Sequence, residues 1–133
     1  MWKNSQPILR DVVHTQFCLA HNGNLVNTEE LAEEAGMLPG TVGSDTDAMA
    51  EQIAQACDRV DRGEGDTLER ALLEVLPKFE GAFSLTLLDR HRVIGVRDPH
   101  GFRPLCLGKL DAGWVLASET PAPDVVGAHF VRE

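Results

Sequence analysis

Apolar positions along this chain follow two rhythms, and each predicts a kind of element. Between Thr46 and Arg62, Met49, Ile53, Ala56, Cys57 and Val60 recur at intervals of four, three, one and three, which is one face of an α-helix. Gly63-Glu64-Gly65 is expected to end it. A further helix from Thr67 to about Leu76 gathers Leu68, Ala71, Leu72 and Val75 on one side, and Pro77 stops it. From Gly81 the period changes to two, with Phe83, Leu85 and Leu87 facing one way and Ala82, Ser84 and Thr86 the other. Short strands follow at Val93 to Val96, Leu105 to Gly108 and Trp114 to Ser118, with turns at Asp89 to Arg92 and Asp111 to Gly113. Their short connections predict an antiparallel meander.

The earlier part of the chain reads as a strand, Thr15 to Ala20, running into a turn at Asn22-Gly23. A short helix is expected over Thr28 to Ala35, with Asn27 and Glu30 as a capping pair and Gly36 at its end. Thr120-Pro121 reads as a helix start, with Pro where its missing N–H costs nothing, although Pro123 removes another first-turn donor. Amphipathic helices beside period-two strands define an α+β class. Internal repeats, low-complexity tracts and an interdomain linker are absent from the sequence.

Composition narrows the function. At 133 residues and 43% apolar, the chain is one domain or part of one, long enough to bury a core. It has no apolar run long enough to span a membrane, and its start lacks the apolar stretch of a secretion signal, so a cytoplasmic location without membrane contact is expected. A net charge of −9, from 21 acidic against 12 basic residues, gives nucleic acid no electrostatic foothold. Cys18, Cys57 and Cys106 are too scattered for a metal site and odd in number for a disulfide framework. They read as buried free thiols, and no metal is expected.

Three blocks carry candidate chemistry. Attack on a carboxamide carbon creates a tetrahedral oxyanion, and donors already aimed at that oxygen lower the barrier. Asn22 can offer its side-chain N–H and Gly23 its backbone N–H, though the same dipeptide also serves as a plain turn. Ser44 and Asp47 read as a helix cap, leaving Asp45 to hold a substrate ammonium or to stand as a solvated carboxylate. Together the blocks around Asn22 and Asp45 are expected to grip opposite ends of a small amino acid in one cavity. The third block, Arg97-Asp98-Pro99-His100-Gly101-Phe102-Arg103-Pro104-Leu105, reads as architectural: Asp98 can pair with Arg97 or Arg103, and the three shape a wall of the site. His21 reads as a hydrogen-bonded structural histidine. Cys18 has His21 three residues on, but a strand-to-turn segment points those side chains apart, which favours a core residue over a nucleophile.

These blocks, with Asn4-Ser5-Gln6-Pro7, Leu19-Ala20-His21-Asn22-Gly23-Asn24-Leu25, Gly81-Ala82-Phe83-Ser84-Leu85, Ala117-Ser118-Glu119-Thr120 and Val126-Gly127-Ala128, resemble the glutaminase domain of the glutamine phosphoribosylpyrophosphate amidotransferase family, the amidophosphoribosyltransferases of purine synthesis. The resemblance implies an N-terminal-nucleophile hydrolase fold, an αββα sandwich with two antiparallel sheets between helices, present here as an incomplete domain. It implies that an N-terminal cysteine attacks glutamine and releases ammonia, which a phosphoribosyltransferase domain joins to phosphoribosyl pyrophosphate as 5-phosphoribosylamine. Carried over, Asn22 and Gly23 match the oxyanion pair and Asp45 the ligand of the glutamine α-amino group. The family's nucleophile, an arginine-bearing segment for the glutamine carboxylate, and the phosphoribosyltransferase domain with its Mg are expected outside this chain. The 133 residues alone are accordingly expected to be inactive, the full-length enzyme to be a homo-oligomer. Some relatives carry an iron-sulfur cluster, which nothing in these residues implies. The alternatives are the glutaminase domain of an aminosugar-phosphate synthase or asparagine synthetase, which the Arg97 to Leu105 block disfavours, and a non-catalytic module that binds glutamine or acts in assembly.

Overall fold

The period-two stretch from Gly81 lies inside a four-stranded antiparallel sheet built from β1 (Ile8–Asp11), β2 (Gln16–Leu25), β3 (Gly81–Leu88) and β4 (Val93–Arg97), in the order β1-β2-β3-β4. The structure, a computed structural model, describes residues 5–12, 15–60, 67–119 and 121–133. Alternation gives this sheet a largely apolar face: Phe17 and Leu19 of β2 and Phe83, Leu85 and Leu87 of β3 are all buried, with His21 of β2 beside them. Over that face lie α1 (Thr28–Glu34), α2 (Asp45–Arg59) and α3 (Thr67–Val75). Their buried stripes, Leu31 and Ala32, then Met49, Ile53, Ala56 and Cys57, then Leu68, Ala71, Leu72 and Val75, are continuous with the sheet in one core. Burying each large apolar side chain fully contributes about 1.5–3 kcal/mol.

Helix ends follow local chemistry. Ser44 caps α2 by accepting from Asp47 N at 3.2 Å, as the sequence predicts. Gly36, at φ 74°, closes α1: its own N–H reaches Glu33 O at 2.9 Å and Met37 N–H reaches Ala32 O at 2.9 Å. Asn27 precedes α1 without capping it. Its carboxamide instead donates to Lys78 O at 2.7 Å and accepts from Glu80 N at 3.1 Å, tying the entrance of α1 to that of β3. Pro77 falls in a 3-10 turn, Leu76–Lys78, after α3. The expected stop at Gly63-Glu64-Gly65 lies outside the described residues.

The expected single meander is divided between two sheets. β4 does not pair with the next strand, β5 (Cys106–Leu110); the Arg97 to Leu105 block leads instead to a second sheet. There β5 lies between β6 (Gly113–Ala117) and β7 (His129–Arg132). Two strands escaped the periodicity reading, since β1 is four residues long and β7 is exposed throughout. The sheets meet where a Cβ on Gly95 of β4 would lie 2.8 Å from Leu116 Cδ1 of β6. α4 (Pro121–Val125) packs against β6 and β7, with Pro123 close over Gly108. Helices, sheet, sheet and helix thus succeed one another, the αββα arrangement that the resemblance implies.

Candidate functional site

Asn22 and Gly23 do not form a turn. β2 passes straight through them to Leu25, in register with β3 at Asn22↔Ser84, Gly23↔Phe83 and Asn24↔Ala82. Glycine is required here for a different reason than reversal of the chain. Gly23 has φ 138°, and a Cβ on it would stand 1.9 Å from the Ala82 carbonyl oxygen. The two backbones touch where any side chain would hold them apart.

This approach decides where the Gly23 N–H points. Phe83, opposite Gly23, spends both backbone groups on the far side: its O accepts from Asp98 N at 2.8 Å and its N donates to Asp98 Oδ2 at 3.2 Å. Gly23 therefore turns its N–H away from β3, toward the edge of β2 beyond the end of β1. Its outward neighbours are both bonded to side chains. His21 N donates to Gln6 Oε1 at 2.6 Å, and Leu25 N donates to Asp45 Oδ2 at 3.2 Å. The Asn22 side chain is exposed on the other face of the sheet, toward the second sheet. There it lines a cavity of about 260 Å³ with Gln6, Ser84, Leu105, Leu116 and Ser118.

Asp45 opens α2 and projects back onto the edge of β2. Besides Leu25 N, it accepts from Thr46 N at 2.9 Å through Oδ1, and that oxygen lies 3.6 Å from His21 Nδ1. Its side chain keeps 20% of its surface exposed, which leaves lone pairs open to a cation. Asn22 and Asp45 line different cavities, contrary to the expectation of a shared one. Asp45 borders a space of about 580 Å³ with α1 and residues 37–44. The reason is strand alternation: Asn22 faces the second sheet, whereas Asp45 arrives from the helical layer. The edge of β2, with its N–H groups, connects them.

His21 is structural, as its setting in the sequence suggests. Its ring is buried beneath α2, with Nδ1 3.1 Å from Thr46 Oγ1 and Nε2 without a hydrogen-bond partner among the described residues. Burial lowers its pKa; the Asp45 carboxylate pulls it up, and Arg103 pushes it down again. The net shift is downward, so the ring is neutral at pH 7.

The Arg97 to Leu105 block stands one layer behind the cavity. Arg97, Asp98 and Arg103 do not line it; Leu105 does. Nor, among the described residues, does Asp98 pair with an arginine side chain. Its buried carboxylate accepts backbone N–H groups from Phe83, His100, Phe102 and Arg103 at 2.9–3.4 Å. Burial alone raises the Asp98 pKa, but the donors of Phe102, Arg103, Phe83 and His100 outweigh it and hold the group below the ordinary carboxylate range. Arg97 grips carbonyls, with Nε to Arg103 O at 2.9 Å and Nη2 to Gly101 O at 2.8 Å. Ser84, across from Asn22, donates to Arg103 O and Pro104 O at 3.1 and 3.0 Å. The block is a rigid loop clamped to the strand beside the site.

None of the three thiols lies in the cavity. Cys18 is half-buried on β2, Cys106 is buried, and Cys57 is buried in α2 with its thiol pushed up to about 11, chiefly by burial and then by Asp58. Among the described residues, no three His, Cys, Asp or Glu side chains cluster as a metal ion requires. Gln6 was missed as a site residue. Its reach to His21, 15 residues along the chain, depends on the β1 to β2 register, which local spacing does not reveal.

The chain belongs to the glutamine amidotransferase domain family, whose profile matches residues 1–123. Among curated relatives, amidophosphoribosyltransferase of Mycobacterium leprae is 45% identical over 141 aligned residues, and that of Archaeoglobus fulgidus 38% over 131. The alignments take in 99% and 98% of this chain but only 24% and 28% of those proteins. The solved glutamine phosphoribosylpyrophosphate amidotransferase of Bacillus subtilis, in complex with ADP and GMP, superposes with a TM-score of 0.82 at 35% identity. That match covers 100% of this chain and 28% of that one. The chain thus spans about a quarter of the length of these relatives. None of its described helices is long and apolar enough to cross a membrane.

Proposed function

We propose that this chain forms the oxyanion and α-ammonium subsites of a glutaminase domain in an amidophosphoribosyltransferase. The observation that carries the reading is the edge of β2, where the Gly23 N–H and the Asp45 carboxylate, anchored at Leu25, lie two residues apart. Two strand residues advance about 7 Å, close to the roughly 6 Å between the α-nitrogen and amide oxygen of an extended glutamine lying parallel to the edge. Glutamine laid along this edge presents its ammonium to Asp45 and its amide oxygen to Gly23, with the Asn22 carboxamide closing from the cavity side.

The chemistry then needs a thiol from outside these 133 residues, as the family resemblance implies. The thiol sulfur attacks the amide carbon while a cysteine's own α-amino group takes its proton. Charge moves onto the amide oxygen, where Asn22 and Gly23 donate to it. Collapse of the adduct breaks the C–N bond, returns the proton to the leaving nitrogen and frees ammonia; water then cleaves the thioester to glutamate. In the full enzyme, we propose, the ammonia meets phosphoribosyl pyrophosphate on a second, Mg-dependent domain of a cytoplasmic homo-oligomer. The glutaminase step itself calls on no cofactor.

Ammonia release from glutamine by the full-length enzyme tests this. Asp45→Asn, which keeps an acceptor for Leu25 N–H, is expected to raise the KM for glutamine at least tenfold, a loss of about 1.4 kcal/mol or more of ammonium binding, with kcat little changed. A polypeptide of these 133 residues alone is expected to match a buffer blank. Unchanged KM in the variant, or turnover by the 133 residues, would refute the reading.

A further inference from the structure

Three N–H groups point outward from β2 at alternate positions, His21, Gly23 and Leu25, and a negative oxygen at this edge could settle on any of them. Two are already taken. Leu25 is occupied by Asp45, which the glutaminase reading already employs. His21 is occupied by Gln6, to which no part of that reading assigns a role.

The way Gln6 reaches His21 is unusual for a strand pair. The β1 to β2 register, Ile8↔Leu19 and Leu9↔Cys18, extended by two residues, places Gln6 opposite His21. The ladder stops at Ile8, however, and the partner of His21 N–H is not the Gln6 backbone but its side-chain oxygen, at 2.6 Å. The same side chain lines the cavity that Asn22 lines. With its oxygen engaged, the free polar group of Gln6 is its NH₂, a donor without charge.

We propose that Gln6 is a positioning residue of the oxyanion site. Its oxygen silences the N–H that would compete with Gly23 for the developing charge, and its neutrality keeps that edge free of a second negative charge. This rests on the glutaminase reading, in which Gly23 serves the oxyanion. An acceptor is needed opposite His21, but an uncharged one: glutamate fits the same space and accepts the same hydrogen bond, yet sets a carboxylate beside the oxygen that becomes negative.

Two measurements decide the matter. In the full-length enzyme, Gln6→Glu is expected to lower kcat for glutamine hydrolysis at least about tenfold through charge repulsion across the edge, with the KM for glutamine within about twofold. A role confined to holding the fold predicts no change in kcat for this variant, and that result overturns the proposal. Amide hydrogen exchange gives a readout that does not require activity. His21 and Leu25 N–H are expected to exchange at least about tenfold more slowly than Gly23 N–H; Gln6→Ala is expected to remove the protection of His21, and Gln6→Glu to keep it. Equal protection of Gly23 and His21, or His21 protection that survives Gln6→Ala, overturns it. A wild-type enzyme without ammonia release would refute the glutaminase reading, and the exchange rates would still test what Gln6 does.

Discussion

Asp98→Asn tests whether a single carboxylate organises the loop behind the site. The substitution keeps size and shape, so its effect comes from hydrogen bonding and charge. The N–H groups of Phe83, Phe102 and Arg103 approach Oδ2 at 3.2, 3.1 and 3.4 Å, and His100 N–H approaches Oδ1 at 2.9 Å. An asparagine turns its oxygen toward the three and leaves its NH₂ facing His100 N–H, donor against donor. The stranded donor costs about 1–3 kcal/mol, and each remaining bond, now to a neutral oxygen, weakens by up to about 1 kcal/mol. Allowing for the length of those bonds, about 3 kcal/mol is expected, a large part of the about 5–15 kcal/mol that holds a domain folded.

The pH dependence carries the sharper test. Because the folded pKa of Asp98 is depressed, its stabilisation is complete above the unfolded value of about 3.9 and is lost as pH falls through the folded one. Urea unfolding of wild type and variant, followed by circular dichroism from pH 7 down to pH 3, should show a gap that is constant at first and narrows below about pH 4. A gap under about 1 kcal/mol at pH 7, or one of equal size at pH 3, refutes the account of Asp98 as an ionised hub.

Further outcomes follow from the same structure. Gly23→Ala forces a methyl group to within 1.9 Å of the Ala82 oxygen, and a loss above about 4 kcal/mol is expected, visible as failure to show a cooperative thermal transition. Asn22→Ala, at an exposed position, should move stability by less than about 0.5 kcal/mol yet cut kcat for glutamine hydrolysis by about 10²–10³ in the full-length enzyme. A kcat within threefold of wild type would remove Asn22 from the oxyanion site. Iodoacetamide at pH 8, with labelling read by mass spectrometry, should modify half-buried Cys18 before Cys57, whose thiol titrates at about 11. Equal labelling of the folded chain would contradict the burial of α2.

The helices were legible from spacing because each has one apolar stripe and a local stop: Ser44 before α2, Gly36 after α1, Pro77 after α3. β3 was legible because a sheet buried on one face must alternate. The division into two sheets was not, because the Arg97 to Leu105 block has the length of an ordinary connection and the strand on the other edge of β5, where β4 was expected, is β7, exposed and far along the chain. Asn22-Gly23 read as a turn because positive φ usually marks one, whereas here it serves a contact with Ala82, a residue distant in sequence. The arginines were legible as part of the connecting block, but their partners were misassigned: side-chain charge suggested Asp98 with Arg97 or Arg103, and the buried loop had backbone groups to satisfy first. Asp45 was placed correctly at the start of α2, while its turn onto the edge of β2 depended on a fold that spacing does not reveal.

The contact between Gly23 and Ala82 also bears on how this domain can change through descent. Under the proposed reading, half of the donor pair is a structural necessity, so a lineage that gave up hydrolysis and kept the sheet would still be compelled to retain the glycine, whereas Asn22, which the architecture scarcely needs, would be free to drift. Surviving glycine at this position therefore testifies to folding; under the same reading it is the amide beside it that distinguishes a working hydrolase from a retired one.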